Sequence, residues 1–252
     1  MTGKAGRVVL AVLAHVALLL AWYLFVHLGK VPKFVMPGPE ATLGALLQPN
    51  YSWWTNIAVT STEIFVGYFL ALAIGVALAL VFTWSQALEA FFMPLLVSLN
   101  MVPKVALGPL IIVWFKYGVL PNSIMAFSIA VFPILLTTAR GLREIEPELL
   151  DLVRSLKGSR WQLFTKIQLP GALPYIFSGM KVAAILAVAG AIVGEFLGSD
   201  KGLGYLMLQV QVTLDTPAMF MAVLLITVIG MLLYGVVLLL ERLLVPKDAR
   251  VA

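Results

Sequence analysis

The sequence predicts an all-α membrane protein with about six transmembrane helices, and three observations carry this prediction. Of the 252 residues, 62% are hydrophobic and 12% are charged, which is about half the charged fraction of soluble domains. The mean hydropathy is +1.02. The apolar residues also gather in stretches of roughly 20, the length that a helix needs to cross a bilayer. We therefore treat residues 1–252 as a single transmembrane domain.

The first two spans are predicted on either side of an outer loop. The first runs from about 8 to 28, after the basic residues Lys4 and Arg7. It is longer than the apolar core of a signal peptide and lacks a small-x-small cleavage site, which favours a retained span. Residues 29–56 are mixed and Pro-rich, as in an extracytoplasmic loop, and the second span covers about 59–82.

The second span also carries a repeat of small residues. They occupy every fourth position, at Gly67, Ala71, Gly75 and Ala79. This pattern indicates either close packing of helices within the chain or a dimer face.

Four further spans follow along the chain. The third covers about 91–115 and contains Pro94, Pro103 and Pro109, so we expect it to be broken. The fourth, fifth and sixth spans cover about 123–139, 173–197 and 218–240.

The distribution of positive charge orients the chain, because cytoplasmic loops of membrane proteins are enriched in Lys and Arg. With the amino terminus inside, eleven Lys and Arg are cytoplasmic and four are outside: Lys4, Arg7, Arg140, Arg143, Arg154, Lys157, Arg160, Lys166, Arg242, Lys247 and Arg250, against Lys30, Lys33, Lys116 and Lys201. Both termini and the loop at 140–172 are therefore predicted to be cytoplasmic.

The segment 148–174, ELLDLVRSLKGSRWQLFTKIQLPGALP, is the unusual part of that loop. Its first half is amphipathic, since Leu149, Leu152, Val153 and Leu156 recur at helical spacing among charged residues. We expect Gly158 to cap this helix after Lys157. A second short helix is predicted over 161–169, ending at Pro170. Such a pair of polar helices between spans indicates a docking surface for another protein.

The sequence excludes several functions. It has no G-x-x-x-x-G-K-[ST] phosphate loop, so ATP hydrolysis by this chain is not expected. There is no cysteine, and the only histidines, His15 and His27, lie on the first span, so no catalytic, metal or cofactor site is predicted. No basic stripe with interleaved aromatic residues suggests nucleic-acid binding.

A few polar residues within the spans are candidates for a translocation pathway, because ionisable groups in lipid are costly. Asn100 and Lys104 flank the middle proline of the third span; they line a pathway, or Lys104 forms an ion pair or reaches an interface. Glu195 is expected to face the interior of the bundle. Glu63 either lines a path or is solvated, and Lys181 is expected to extend to the cytoplasmic surface.

The cytoplasmic segment resembles a known signature. Gly158, Ile167, Leu169 and Pro170 match the pattern G-x(8)-I-x-L-P of prokaryotic ABC importer permeases. Further pieces are similar to the nitrate, sulfonate and taurine branch of that family: VPKVALGPLIIVWFKYG (102–118), FPILLTTARGL (132–142), LPGALPYIFSGMKVA (169–183) and GEFLGSDKGLGYL (194–206). The last is similar to permeases for pyrimidine-type thiamine precursors and riboflavin.

This resemblance implies the type I ABC importer permease fold, with cytoplasmic coupling helices, in a prokaryotic cytoplasmic (inner) membrane. It also implies a permease homodimer, cytosolic ATPase subunits that hold ATP and Mg, and an extracytoplasmic substrate-binding protein. By resemblance, the contact with the ATPase falls on Asp151, Leu152, Arg154, Leu156, Lys157, Gly158, Trp161, Ile167, Leu169 and Pro170.

The sequence departs from the family at one place. The signature usually begins Glu-Ala-Ala six residues before the glycine, where this chain has Leu152, Val153 and Arg154, and the nearest acid is Asp151. The polar contact with the ATPase therefore stays open.

Two other functions remain alternatives. A secondary transporter or channel acting alone would need paired intramembrane charges or an inverted repeat. A membrane receptor or assembly factor would use the same segment for a different cytosolic protein.

Overall fold

Helices form the regular structure of the described part of the chain. The computed structural model describes residues 4–144 and 147–246. In chain order the α-helices are α1 (Lys4–Leu28), α2 (Pro39–Gly44), α3 (Trp53–Trp84), α4 (Gln86–Met101), α5 (Lys104–Phe115), α6 (Val119–Arg143), α7 (Pro147–Ser155), α8 (Arg160–Leu163), α9 (Leu169–Gly198), α10 (Leu203–Val212) and α11 (Thr216–Leu244). The predicted all-α class is confirmed.

Five stretches of these residues are long and apolar enough to cross a membrane: those containing α1, α3, α6, α9 and α11. The helices α4 and α5 pass the same test together but are bent by 94° between Met101 and Lys104. The third span, predicted over about 91–115 and expected to be broken, is thus divided into α4 and α5 at Pro103. Counting the bent pair as one span gives the predicted six.

The bend occurs at Pro103, the middle one of the three prolines. Val102 has an extended backbone, which the ring of a following proline favours. Pro103 then lies just before the first turn of α5. Pro94 and Pro109 lie inside α4 and α5 without ending them.

The predicted end of a helix at Pro170 is wrong. The helix α8 continues through a π-helical turn, Phe164–Gln168, directly into α9. Pro170 lies in the first turn of α9 and has no N–H to donate to the carbonyl of Lys166, four residues earlier. The N–H of Leu169 instead bonds to the carbonyl of Phe164, five residues earlier. The π turn thus lets the chain pass a proline without breaking the helix.

The core of the bundle is α6 packed between α3 and α9. Ala126 of α6 is fully buried where both neighbours approach. A Cβ atom added to Gly67 of α3 would lie 2.5 Å from the Cβ of Ala126, and one added to Gly190 of α9 would lie 2.7 Å from its Cα. All four members of the small-residue repeat in α3 are buried within the chain. The repeat therefore serves close packing between helices of one chain.

An ion pair joins α9 to α11 within the bundle. The ammonium group of Lys181 lies 3.1 Å from a carboxylate oxygen of Glu241, and both side chains are largely buried. The expectation that Lys181 extends to the cytoplasmic surface is therefore wrong, because a buried acid lies within its reach.

Candidate functional site

The segment between α6 and α9 projects from one end of the bundle. Residues 155–162 are all exposed, and the side chains of Leu156 and Trp161 are 73% and 66% exposed. Asp151 is also at the surface. The side chains of Leu152 and Arg154 lie outside the described residues. Large apolar side chains held in solvent on a rigid turn are typical of a surface that binds another protein.

The turn after α7 has a defined geometry. Lys157 has the left-handed backbone conformation, with φ of +52°. The N–H of Gly158 bonds to the carbonyl of Val153 at 2.9 Å. This pattern is a Schellman motif, in which the left-handed residue ends the helix. Gly158 takes part in the cap as expected, but Lys157 takes the left-handed position.

A glycine is needed at position 158 because there is no room for a side chain, and not because its backbone conformation requires one. A Cβ atom at this position would lie 2.7 Å from Cγ1 of Val153 and 3.2 Å from its carbonyl oxygen. Any side chain there would push the turn away from α7. The glycine of the signature thereby fixes the angle at which the exposed turn leaves the helix.

The second part of the segment begins with a capping box. The hydroxyl of Ser159 accepts a bond from the N–H of Gln162 at 3.2 Å, and the N–H of Ser159 donates to the side chain of Gln162 at 2.8 Å. This exchange fixes the start of α8. Ile167 lies in the π turn, and Leu169 and Pro170 open α9. All three predicted coupling residues therefore join the exposed turn to a membrane span.

Two ion pairs lie at the same end of the bundle. Arg143 of α6 pairs with Glu89 of α4, and Arg140 pairs with Glu144 at 3.1 Å. The hydrogen bond from Arg140 lowers the pKa of Glu144. Cavities of about 500 and 450 Å³ lie beside the Glu89–Arg143 pair, and both residues line each of them. The pair therefore connects α4 to α6 across open space.

Lys104 of the predicted pathway binds the end of the preceding helix. Its ammonium group lies 2.7 Å from the carbonyl oxygen of Asn100 and within 3.4 Å of those of Leu99 and Val102. It also lies 3.3 Å from the side-chain oxygen of Asn100. A cation at a helix carboxyl end is favourable to the helix dipole. Lys104 thus donates hydrogen bonds to carbonyl groups at the bend.

Asn100 and Lys104 also border a cavity of about 310 Å³. It lies among α3, α4, α5 and α6, and the side chains that line it are otherwise almost all apolar: Ile74, Leu78, Leu96, Leu99, Leu107, Phe127, Ser128, Val131, Phe132 and Leu135.

Glu195 lies inside the bundle, as predicted, and is 1% exposed. One carboxylate oxygen accepts from the hydroxyl of Thr60 at 2.6 Å. The other accepts from the N–H groups of Gly204 and Tyr205 at 2.5 and 3.2 Å. These amides belong to the first turn of α10, where a helix has free N–H groups. Glu195 therefore ties α9, α3 and the start of α10 together.

Other buried polar groups extend this contact. The amide of Asn122 donates to Glu63 at 2.8 Å, and the N–H of Gly202 donates to the side chain of Asn56 at 2.8 Å. Glu63 is therefore buried rather than solvated. Sequence reasoning did not select Asn56 or Asn122, and the signal that could have found them was an amide residue at the start of a long apolar helix. Among the residues the structure describes, no group of three or more His, Cys, Asp or Glu could hold a metal ion.

The sequence of this chain is similar to those of known membrane proteins. The sequence profile of one family, "Binding-protein-dependent transport system inner membrane component", matches residues 71–247, from the middle of α3 to the end of α11. The chain belongs to this family. It is an ABC transporter permease, a multi-pass inner membrane component, and the resemblance seen in the loop signature is confirmed.

The relatives of this permease are similar over most of their length. A probable ABC transporter permease protein of Haemophilus influenzae is 35% identical over 86% of this chain and 89% of its own. The riboflavin transport system permease protein RibX of Chloroflexus aurantiacus is 35% identical over 92% of this chain and 87% of its own. The formylaminopyrimidine transport permease protein ThiX of Halalkalibacterium halodurans is 28% identical over 91% and 92%.

A solved structure supports the fold of the permease. A chain from inward-facing conformations of the MetNI methionine ABC transporter matches with a TM-score of 0.57 at 18% identity, covering 74% of this chain and 96% of that one. The predicted ABC permease fold is confirmed by this match.

Proposed function

We propose that this permease forms the translocation pathway of an ATP-driven importer and that its exposed turn at 155–162 is the docking site for the ATPase. The observation that carries the proposal is the exposure of Leu156 and Trp161 on a turn that continues into the span α9. The alternative of a transporter acting alone is not favoured, because the chain belongs to a family of binding-protein-dependent transport components.

The proposed mechanism relies on rigidity. The Schellman motif at Lys157 and the capping box at Ser159 hold the turn in one shape. Closure of the ATPase subunits would then move α7 and α8 as a body, and α9 would follow because no break separates it from α8. A movement of this kind switches the spans between inward-facing and outward-facing states. Asp151 and Arg154 are our candidates for the polar contact that replaces the missing Glu-Ala-Ala.

The proposed pathway includes Asn100 and Lys104, and the proposed solute is a neutral heterocycle related to pyrimidines or flavins. We leave Glu195 out of this pathway, because its carboxylate is buried and bonded to Thr60 and to the start of α10. The N–H donors of the Lys104 ammonium group are already engaged by backbone carbonyls and by the side chain of Asn100, which leaves none for a sulfonate or nitrate. The cavity beside it is largely apolar and suits a planar ring. Two of the relatives named above are permeases for riboflavin and formylaminopyrimidine. An extracytoplasmic binding protein would deliver the solute to the outer loops.

Docking is tested by copurification of tagged permease with its cognate ATPase. Replacing Leu156 and Trp161 with Asp should abolish the association and leave membrane insertion intact. The matched control is the same double change at Leu47 and Trp54, which are at least as exposed and lie between α2 and the first turn of α3. Retention of the ATPase by the Leu156 and Trp161 variant would exclude this docking site.

The solute is tested by calorimetry on the cognate binding protein. Pyrimidines and flavins should bind with at least tenfold lower Kd than taurine, alkylsulfonates or nitrate. Preferential binding of a sulfonate or nitrate would overturn the proposed solute class and leave the docking proposal untouched.

A further inference from the structure

An aromatic chain connects the exposed turn to a second part of the bundle. The ring of Trp161 in α8 lies 5.8 Å from that of Phe164 in the π turn. The ring of Phe164 lies 5.6 Å from that of Trp84, with an edge-to-face angle of 68°. Trp84 is the last residue of α3, one residue before the cap of α4. Three rings therefore span from the turn to the α3–α4 junction.

Phe164 is the buried member of this chain. It is 8% exposed, whereas Trp84 and Trp161 are 64% and 66% exposed. Edge-to-face and offset ring pairs have preferred geometries. Phe164 thus contacts both indole rings, which are otherwise largely exposed.

The backbone of Phe164 also lies at the irregular point of the helix. Its carbonyl accepts the N–H of Leu169 across the π turn. Insertions of this kind are frequent at functional sites. The cavity of about 450 Å³ lined by Phe82, Gln86 and Gln168 lies beside the turn. The turn therefore has room to move against the end of α3.

We propose that Phe164 is a positioning residue for coupling, which transmits displacement of the exposed turn to the α3–α4 junction through Trp84. The covalent route through α9 reaches α3, α5 and α6, which pack against it, but α9 has no comparable contact with α4. The aromatic route adds a direct contact between the turn and the end of α3 and, through Ser85, reaches α4. This inference rests on the proposed docking of an ATPase at the turn.

The test measures movement within the complex. The sequence has no cysteine, so Leu88→Cys on α4 and Ile185→Cys on α9 place one spin label on each of these helices in every permease chain, at exposed positions. The complex of labelled permease and its cognate ATPase is placed in lipid nanodiscs, and the distance between labels is measured without nucleotide and with ATP, Mg²⁺ and vanadate. In the labelled complex with Phe164 intact, the distance between the labels should change by several ångströms when ATP, Mg²⁺ and vanadate are added.

The variant Phe164→Ala should retain the ATPase and lose that shift, while Phe164→Tyr should preserve it. The control is Phe177→Ala, which removes the same ring from a buried site on α9 away from the turn. It should lower thermal stability as much as Phe164→Ala and keep the shift. An undiminished shift in Phe164→Ala, or equal losses in both alanine variants, would overturn the positioning role.

The two sets of variants distinguish a failure of this inference from a failure of the docking proposal. If the Leu156 and Trp161 double variant still binds the ATPase, docking itself fails. If the Leu156 and Trp161 double variant loses the ATPase and the Phe164→Ala complex still shows the full shift in label distance, only the proposed role of Phe164 is wrong.

Discussion

At the residue scale, the turn at Lys157 and Gly158 reverses the roles that the signature suggests. Lys157 carries the left-handed conformation, which costs an L-residue roughly 1–2 kcal/mol. Gly158 has an ordinary φ but sits against Val153. Gly158 is therefore required because a larger residue would overlap Val153, whereas the strained backbone conformation belongs to Lys157.

Opposite effects are expected from two matched substitutions. Gly158→Ala should destabilise the turn by about 1–3 kcal/mol, because its methyl group overlaps Val153. Lys157→Gly should leave the turn unchanged or stabilise it by up to about 1 kcal/mol. Hydrogen exchange of the α7 amides measures both effects. Faster exchange in Lys157→Gly than in Gly158→Ala would contradict the assignment.

Glu195 gives a second prediction at this scale. In Glu195→Ala the hydroxyl of Thr60 and two amides of α10 lose their acceptor, and each buried unpaired group costs about 1–3 kcal/mol. The Tm of the purified permease should fall by about 2–4 °C per kcal/mol. Glu195→Gln keeps one acceptor oxygen, so its Tm should lie between that of the unmodified permease and that of Glu195→Ala. Asp200→Ala, at an exposed position nearby, is the control. A Tm equal to that of the control would show that the contact does not hold α10.

At the element scale, apolar length predicted the helical class and the positions of five spans, because a bilayer requires about 20 apolar residues wherever they occur. The helices extend beyond the predicted ends, as α3 and α6 do, since polar residues at their termini continue the helix past the apolar part. Proline positions were a weaker guide. Pro103 separates α4 from α5 with a bend of 94°, whereas the helix passes Pro170 without a break, by way of a π turn.

The candidate site was predictable to a similar degree. The motif around Gly158 located the exposed turn, because its spacing is carried by local sequence. The partners of Glu195 and Lys104 were not predictable, since Thr60 is 135 residues away from Glu195 and Lys104 binds backbone carbonyls. Contacts distant in sequence, or made to the main chain, leave no pattern in one sequence.

The bend between α4 and α5 gives the prediction at this scale. Lys104→Met removes the cation that bonds to three carbonyl groups, so the angle between α4 and α5 should vary more widely. Spin labels at Phe91→Cys and Val113→Cys, both exposed, would report this as a broader distance distribution. Lys116→Met, at the far end of α5, should leave the distribution narrow. A narrow distribution in Lys104→Met would show that the bend is held by packing alone.

At the scale of the whole molecule, the chain exposes large apolar side chains on α4 and α5 as well as on its first span, α1. On α4 and α5, Leu99, Met101, Val113 and Trp114 are each more than 60% exposed. This face includes the bend and lies next to the cavity at Lys104. A six-span chain with an open apolar face at its proposed pathway is suited to closure by a second copy around a two-fold axis.

Copies of the permease carrying two different tags should therefore copurify when expressed together, and the complex with its ATPase should contain two permease chains by native mass spectrometry. Replacing Val113 and Trp114 with Asp should separate the tags, because charges on both copies would meet in an apolar contact. The same changes at Leu18 and Leu19 on the exposed α1 would burden the lipid face equally and are the control. A mass that corresponds to one permease chain, or separation of the tags only in the α1 variant, would place the partner on another surface.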